Sequence, residues 1–312
     1  MKRLILLFII LSLVFTFIGC EKADNNIVSE PENTSVESEF PVTFADSSGK
    51  EITIEGKPRR IITLTPSNTE ILYELGEGDN IIAVSEYCNY PEDTSEKQKL
   101  PTGEQLNIEN VIGLNPDIVI LARMSAMEDQ TNRLIEAGIE VITTEANTLE
   151  QTYEVIKMLG RVTGKDEEAQ ALVDRMKKGF SDIREKVKDK SQVSIYVEVS
   201  PLEYGLWSCG RNTFIQELID IIGAKNIFED IDGWSAVSEE QVISRNPDVI
   251  LTTASTLTGI EDPVGEIMGR ANWKNINAVK ENKVLMLDMD MATRPGPRLL
   301  DCAEELVKAI YE

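Results

Sequence analysis

From Pro41 onward, short runs of β-branched and aliphatic residues alternate with longer stretches in which apolar residues recur every three or four positions. Arg60–Thr65 (RIITLT) reads as a buried strand, and NTEILYELG follows as a helix capped at Asn68 or Thr69 and stopped by Gly76. Ile81–Val84, Asp117–Leu121 and Glu140–Thr144 read as further short strands separated by helical stretches. The same order returns after Ser191. Val193–Val199 reads as a strand, NTFIQELIDIIG as a helix capped by Asn212 or Thr213 and closed by Gly223, and DVILT and KVLML as strands. Alternation of this kind predicts an α/β protein with parallel sheets and helices on their faces.

The two halves also match residue by residue. Asn107–Ile120 reads NIENVIGLNPDIVI and Ser238–Leu251 reads SEEQVISRNPDVIL. A single offset of 131 positions sets Glu109 on Glu240, Val111 on Val242, Ile112 on Ile243, and Asn115-Pro116-Asp117 on Asn246-Pro247-Asp248. A helix stopped by Asn-Pro-Asp ahead of a buried strand is a common junction, so the shared Pro and Asp speak to fold. For the shared glutamate two roles stand open: complementing the helix dipole, or a functional group.

Between the halves, Ala169, Leu172, Val173, Met176, Phe180, Ile183 and Val187 lie at three-and-four spacing within Lys165–Lys190. One helix of this length would span about 39 Å at 1.5 Å per residue, enough to run along two lobes. A single helical strut resists hinge bending. The expected organisation is a stiff pair of Rossmann-like lobes, residues 41–163 and 191–312, joined by a helix over 164–190, with a ligand cleft between them.

The N-terminus has a different pattern. Lys2 and Arg3 precede an apolar run from Leu4 to Ile18 that ends at Phe17-Ile18-Gly19-Cys20. A short basic region, an apolar stretch of this length and a small residue before the cut are marks of a secretory signal over residues 1–19. The run is short for a spanning helix, although an uncleaved anchor fits the same pattern. Residues 20–40, rich in Glu, Asn and Ser, read as a flexible tether.

Composition then narrows the chemistry. With 54 acidic residues against 31 Lys and Arg, the formal net charge of −23 argues against binding nucleic acid, whose recognition rests on basic side chains. The chain has no histidine, which rules out Ser-His-Asp and Cys-His nucleophiles and HExxH metal sites. If Cys20 is modified, Cys88, Cys209 and Cys302 are an odd number without C-x-x-C spacing, so neither a disulfide framework nor a thiolate zinc site is expected. A hydrolase built on paired carboxylates, such as Asp46 or Glu104 with a partner, is the remaining enzymatic alternative. No spacing fixes such a pair.

Aromatic residues gather where loops should follow strands. Tyr87 and Tyr90 lie in SEYCNYP, Tyr204 and Trp207 in EYGLWSCGRNT with Arg211, and Trp234 follows Asp232-Gly233. Two of the three Trp and three of the seven Tyr fall in these turns, which suits a flat, partly apolar ligand. Any single one of them could instead close the core of its own lobe.

Taken together, TPSNTEILYELG, YCNYP, NIENVIGLNPDIVI, GAKNIF, SEEQVISRNPD and RPGPR resemble the rigid-helix class of ABC-transporter substrate-binding proteins. That class binds cobalamin, ferric siderophores or haem. Ile18-Gly19-Cys20 likewise resembles the end of a bacterial lipobox, which implies lipid on Cys20, no other covalent cofactor, and attachment to the outer face of the cell membrane. The resemblance implies that Glu109 and Glu240 meet arginines of a membrane permease driven by its ATPase. It also implies a monomeric receptor for a metal chelate, a cobalt corrinoid or an iron chelate. Similarity is greatest to the cobalamin-binding branch, and implies ligand-binding roles for Tyr87, Tyr90, Tyr204, Trp207, Trp234 and Arg294, the last in R-P-G-P-R. Gly103, Glu104 and Ala122 stand where that branch has Trp, which thins the aromatic cage. Siderophore or haem binding, or a sensor built on the same fold, are the alternatives.

Overall fold

A computed structural model of the chain describes residues 40–124, 127–253 and 260–312. The expected signal segment, Cys20 and all of the expected tether before Phe40 lie outside the described residues.

In chain order the N-terminal lobe carries β1 (Val42–Ala45), β2 (Glu51–Ile54), β3 (Ile61–Thr63), α1 (Pro66–Glu74), β4 (Ile81–Ser85), β5 (Gln98–Leu100), α2 (Ile108–Gly113), β6 (Ile118–Ala122), α3 (Glu128–Glu136) and β7 (Glu140–Thr144). Next come α4 (Leu149–Thr163) and α5 (Asp166–Val187). The C-terminal lobe carries β8 (Ser194–Glu198), β9 (Trp207–Cys209), α6 (Phe214–Ile221), β10 (Lys225–Asn226), β11 (Trp234–Ala236), α7 (Glu239–Arg245), β12 (Val249–Thr252), α8 (Pro263–Gly269), α9 (Asn277–Lys280), β13 (Val284–Met286), α10 (Met289–Thr293) and α11 (Leu299–Tyr311).

The first lobe is built on a parallel sheet in the order β5-β4-β3-β6-β7, the second on a parallel sheet in the order β10-β8-β12-β13. Both orders run outward from the first strand of the parallel sheet, β3 or β8, in two directions. Each lobe therefore has a topological switch point at the carboxyl end of that strand, where α/β sheets leave a crevice. The hairpin β1–β2 and the small antiparallel pair β9–β11 are additions to this plan.

Strict alternation along the strands divides the core. Ile61, Ile118, Ile120, Ile195, Val197, Val249 and Leu251 face one continuous core shared with α4, α5, α6 and α11. Their neighbours Ile62, Val119 and Leu121 face a second core within the first lobe, and Tyr196 and Ile250 a third within the second. Strands apolar on both faces are what a parallel sheet with two covered faces demands.

Helix α5 spans 22 residues, about 33 Å, and buries Ala169, Leu172, Val173, Met176, Phe180, Ile183 and Val187, the stripe read from the sequence. It packs on α4, α6 and α11 and so contacts both lobes. Close approach needs small residues: a Cβ on Gly160 of α4 would lie 2.4 Å from Ala169 Cβ, and one on Gly179 would lie 2.6 Å from the Leu300 side chain.

Helix α1 starts earlier than the expected Asn68 or Thr69. Thr65 is its N-cap and Pro66 opens its first turn, where the missing proline N–H costs nothing. Thr213 caps α6 as expected, its hydroxyl accepting from the Gln216 amide.

The internal echo is a repeated joint. Asn107 and Ser238 cap α2 and α7, and Glu109 and Glu240 are each the second helical residue. Asn115 and Asn246 both turn left-handed, with φ of 45° and 46°. Asp117 then accepts from the Arg59 and Arg60 amides, and Asp248 from the Ser194 amide and hydroxyl, so each carboxylate ties its strand to the start of β3 or β8.

Candidate functional site

The first crevice is a cavity of about 190 Å³ at the β3 switch point. Thr65, Ser67 and Asn68 line it from the β3–α1 turn, Ala122 and Arg123 from the end of β6, and Thr144–Asn147 from the end of β7. Pro295 closes it from the second lobe. Asn68 is 1% exposed and holds Thr144 through hydrogen bonds at 2.9 and 3.2 Å, fixing the floor. Arg123 reaches Glu145 loosely, at 3.4 Å.

Large apolar side chains that stay exposed cluster around this end of the molecule. Tyr87 (59% exposed) and Tyr90 (44%) follow β4, Tyr204 (63%) and Trp207 (43%) lie in the turn after β8 and in β9, and Met124 and Met286 sit at the ends of β6 and β13. Only Ile112 and Ile135, on helices, fall outside this pattern among the described residues. Trp234 is half-buried, its ring edge-on to Phe214 with centroids 5.9 Å apart. It pairs with Cys209 across β9–β11, and Asn212 donates to Asp232 at 2.6 Å to hold the same turn. Gly103 and Glu104 form a single helical turn whose glutamate is exposed, and Ala122 lines the cavity.

Beneath Tyr87 and Tyr90 the lobes are tied by a polar network. Glu70 of α1, its side chain 2% exposed, accepts from Arg298 Nε at 2.8 Å and Nη2 at 2.7 Å, and from Arg294 Nη1 at 2.9 Å. Arg294 also donates to Asn89 Oδ1 (2.9 Å), the Tyr87 carbonyl (3.1 Å) and Asp290 (2.5 Å), and Asn89 donates to Asp290 at 2.7 Å. The Arg298 guanidinium lies 4.4 Å from the Tyr90 ring centroid, in cation–π range. Arg294 is thus oriented by four partners, three of them in the other lobe. Burial alone would lower the Arg298 pKa, but the hydrogen bonds and charge of Glu70 outweigh it and the net shift is upward. A second tie lies nearby: the Phe214 amide donates to the Asn147 carbonyl (2.6 Å) and the Leu149 amide to Glu217 (2.6 Å).

Glu109 and Glu240 are both exposed at the starts of α2 and α7. Glu240 is held below the usual carboxylate range, first by its own backbone amide. Their neighbours differ, for Ile112 is 37% exposed whereas Ile243 packs against the third core.

The second lobe holds its own buried ions. Glu198, at the end of β8, pairs with Arg270 through two bonds of 2.8 Å; Arg270 also reaches Glu266 and stacks 4.3 Å from Trp273. Cys88, Cys209 and Cys302 are free and buried; burial raises all three thiols, Cys209 and Cys302 to about 12. Asp46 is 6% exposed and accepts from Ser48, Lys50 and Thr143, which makes it the cap of a turn. Among the described residues no three Cys, Asp or Glu side chains are grouped to hold a metal ion.

Two sheets that each reverse strand order, a cavity at the first of these switch points, exposed aromatic residues around it and a long shared helix define a receptor of the two-lobed binding-protein type. The periplasmic binding protein family profile matches residues 61–291, and the chain belongs to that family. It is an ABC-transporter substrate-binding protein and not an enzyme.

Over 301 residues it is 38% identical to YvrC, an uncharacterized ABC transporter substrate-binding lipoprotein of Bacillus subtilis, covering 94% of this chain and 92% of that one. It is 30% identical over 269 residues to the vitamin B12-binding protein of Vibrio campbellii, covering 86% and 93% of the two chains. Among solved structures, a possible iron-binding periplasmic solute-binding protein from Staphylococcus epidermidis superposes with a TM-score of 0.73 at 33% identity, over 82% of this chain and all of that one.

Sequence reading missed Glu70, Asn89, Asp290 and Arg298. Glu70 is one polar position within NTEILYELG, and its partners lie 224 and 228 residues away. The only available signal was the second arginine of RPGPR.

Proposed function

We propose that the chain is a monomeric, lipid-anchored receptor on the outer face of the cell membrane that captures a cobalt corrinoid, cobalamin foremost, and hands it to an ABC permease and its ATPase. The observation that carries the corrinoid reading is the exposure of Tyr87, Tyr90, Tyr204 and Trp207 in the segments around the switch-point end, large flat surfaces that stay 43–63% exposed among the described residues. Likeness to the Vibrio vitamin B12-binding protein supports it. The absence of histidine fits a ligand whose metal arrives already coordinated. Lipid on Cys20 would keep the receptor beside its permease and raise its local concentration there. Trp234, half-buried behind the rim, would contact the ligand with one edge.

Glu109 and Glu240, exposed at equivalent positions in the two lobes, would each take an arginine of the permease, fixing orientation through charge-assisted pairs. Arg294 contributes to binding by setting the Tyr87 loop through the bonds described above. A ferric chelate is the second reading, favoured by the likeness to the possible iron-binding protein of Staphylococcus epidermidis. Native mass spectrometry after exposure to a mixture of corrinoids, haem and ferric siderophores tests the choice. Retention of a corrinoid supports the proposal, and retention of a ferric chelate alone replaces it with the second reading.

A further inference from the structure

Residues 270–278 hold helix α7 at both ends. At its carboxyl end, the Asn277 amide donates to Asn246 Oδ1 at 2.8 Å and the Ala278 amide to the Pro247 carbonyl at 3.0 Å. At its amino end, the Trp273 indole N–H donates to Glu239 Oε2 at 2.9 Å. Glu239 is the first residue of α7, immediately before Glu240. An indole has one donor and no acceptor, so the fully buried Trp273 needs its partner in one fixed direction. That direction is set by its surroundings. The Arg270 guanidinium lies 4.3 Å from the Trp273 ring and the Tyr196 ring meets it edge-on with centroids 6.0 Å apart. Arg270 is itself held by Glu198 and Glu266.

The first lobe has a different fixture at the equivalent place. Under the offset of 131 positions Glu239 falls on Ile108, which anchors the start of α2 by burial, at 6% exposure. At that helix start the Asn107 side chain accepts from the Asn110 amide at 3.3 Å, whereas α7 has the reciprocal pair of Ser238 and Gln241 together with the indole bond. A carboxylate thus stands where apolar burial suffices in the other half, and its acceptor oxygen belongs to the residue beside the exposed Glu240. We propose that Trp273 and Glu239 are positioning residues for the permease contact: they fix the first turn of α7 so that Glu240 leaves the surface in one direction. The inference deepens the docking role proposed above and rests on it.

Affinity of the ligand-free receptor for its permease–ATPase complex in nanodiscs tests it, with Glu239→Ala, Glu239→Gln and Trp273→Phe compared. Glu239→Ala removes the acceptor and Trp273→Phe the donor, and each should weaken binding about 3–10-fold, the value of one hydrogen bond. Glu239→Gln loses the same charge as Glu239→Ala but keeps an acceptor oxygen, and should restore affinity to within about twofold of wild type. The Gln241 and Val242 amides bond back to Ser238, and their residue-resolved exchange should quicken in Glu239→Ala and Trp273→Phe but not in Glu239→Gln. In a Glu240→Ala background Trp273→Phe should weaken binding no further, because the positioned group is gone. Equal losses in Glu239→Ala and Glu239→Gln, unchanged exchange in Glu239→Ala, or a full loss from Trp273→Phe in the Glu240→Ala background overturns the positioning role and leaves the docking role standing. If Glu240→Ala alone binds the complex as tightly as wild type, the docking role itself is overturned and the positioning role with it.

Discussion

Each lobe has a buried carboxylate gripped by arginine near its crevice, and the two differ in where the arginine comes from. Glu198 takes Arg270 from its own lobe, 72 residues away, and the pair is sealed under Trp273. Glu70 takes Arg294 and Arg298 from the opposite lobe, and these guanidinium groups remain 12–13% exposed. The first is an element of one lobe's interior, the second of the relation between lobes. Equivalent folds thus use the same chemistry for different ends: stability in one, registration in the other.

That contrast can be broken experimentally, beginning with the exterior of the two lobes, where they are alike. On the proposed docking role, reversing both acidic residues (Glu109→Lys with Glu240→Lys) should lower cellular uptake of labelled cyanocobalamin at least about 100-fold, because the two proposed charge-assisted contacts would become repulsions, while calorimetric affinity stays unchanged. Lost affinity would place these carboxylates in the pocket instead.

Within the second lobe, Arg270→Met leaves Glu198 without its countercharge and should cost about 3–5 kcal/mol in urea unfolding. Across the lobes, Glu70→Gln keeps shape but removes the charge, and the arginines retain Asp290, Asn89 and solvent. A smaller loss of about 1–3 kcal/mol is expected, together with faster amide exchange in both 86–91 and 288–298. Equal losses from the two variants would erase the distinction drawn here.

A pH series probes the second tie between the lobes. Burial raises the Glu217 carboxyl, so the folded state binds that proton more readily than the unfolded chain. Its stabilising contribution is therefore present at acid pH and lost as pH rises through the folded-state value. As pH falls from 7 toward the ordinary carboxylate range, the wild type should gain melting temperature relative to the Glu217→Gln variant, and a difference that stays constant with pH would contradict this. Last, native protein should leave Cys209 and Cys302 unmodified by a thiol reagent, both becoming reactive on unfolding; rapid native labelling would contradict their burial.

Much of the architecture was legible because it is written in local periodicity. The seven buried residues of α5 are readable one by one, and the repeated Asn-Pro-Asp joints predict paired strands. The start of α1 was misplaced because Asn68 and Thr69 are good caps by type, whereas a proline at Pro66 fixes the first turn earlier. The cross-lobe cluster was illegible for another reason: polar residues more than 200 positions apart carry no pattern until the chain brings them together.

One guanidinium touching both a glutamate and the Tyr87 carbonyl makes cleft width and rim posture a single mechanical variable. Any force that spreads the lobes by the length of a hydrogen bond must also tug the aromatic fingers off whatever they hold. Unloading would then require no separate trigger, only leverage.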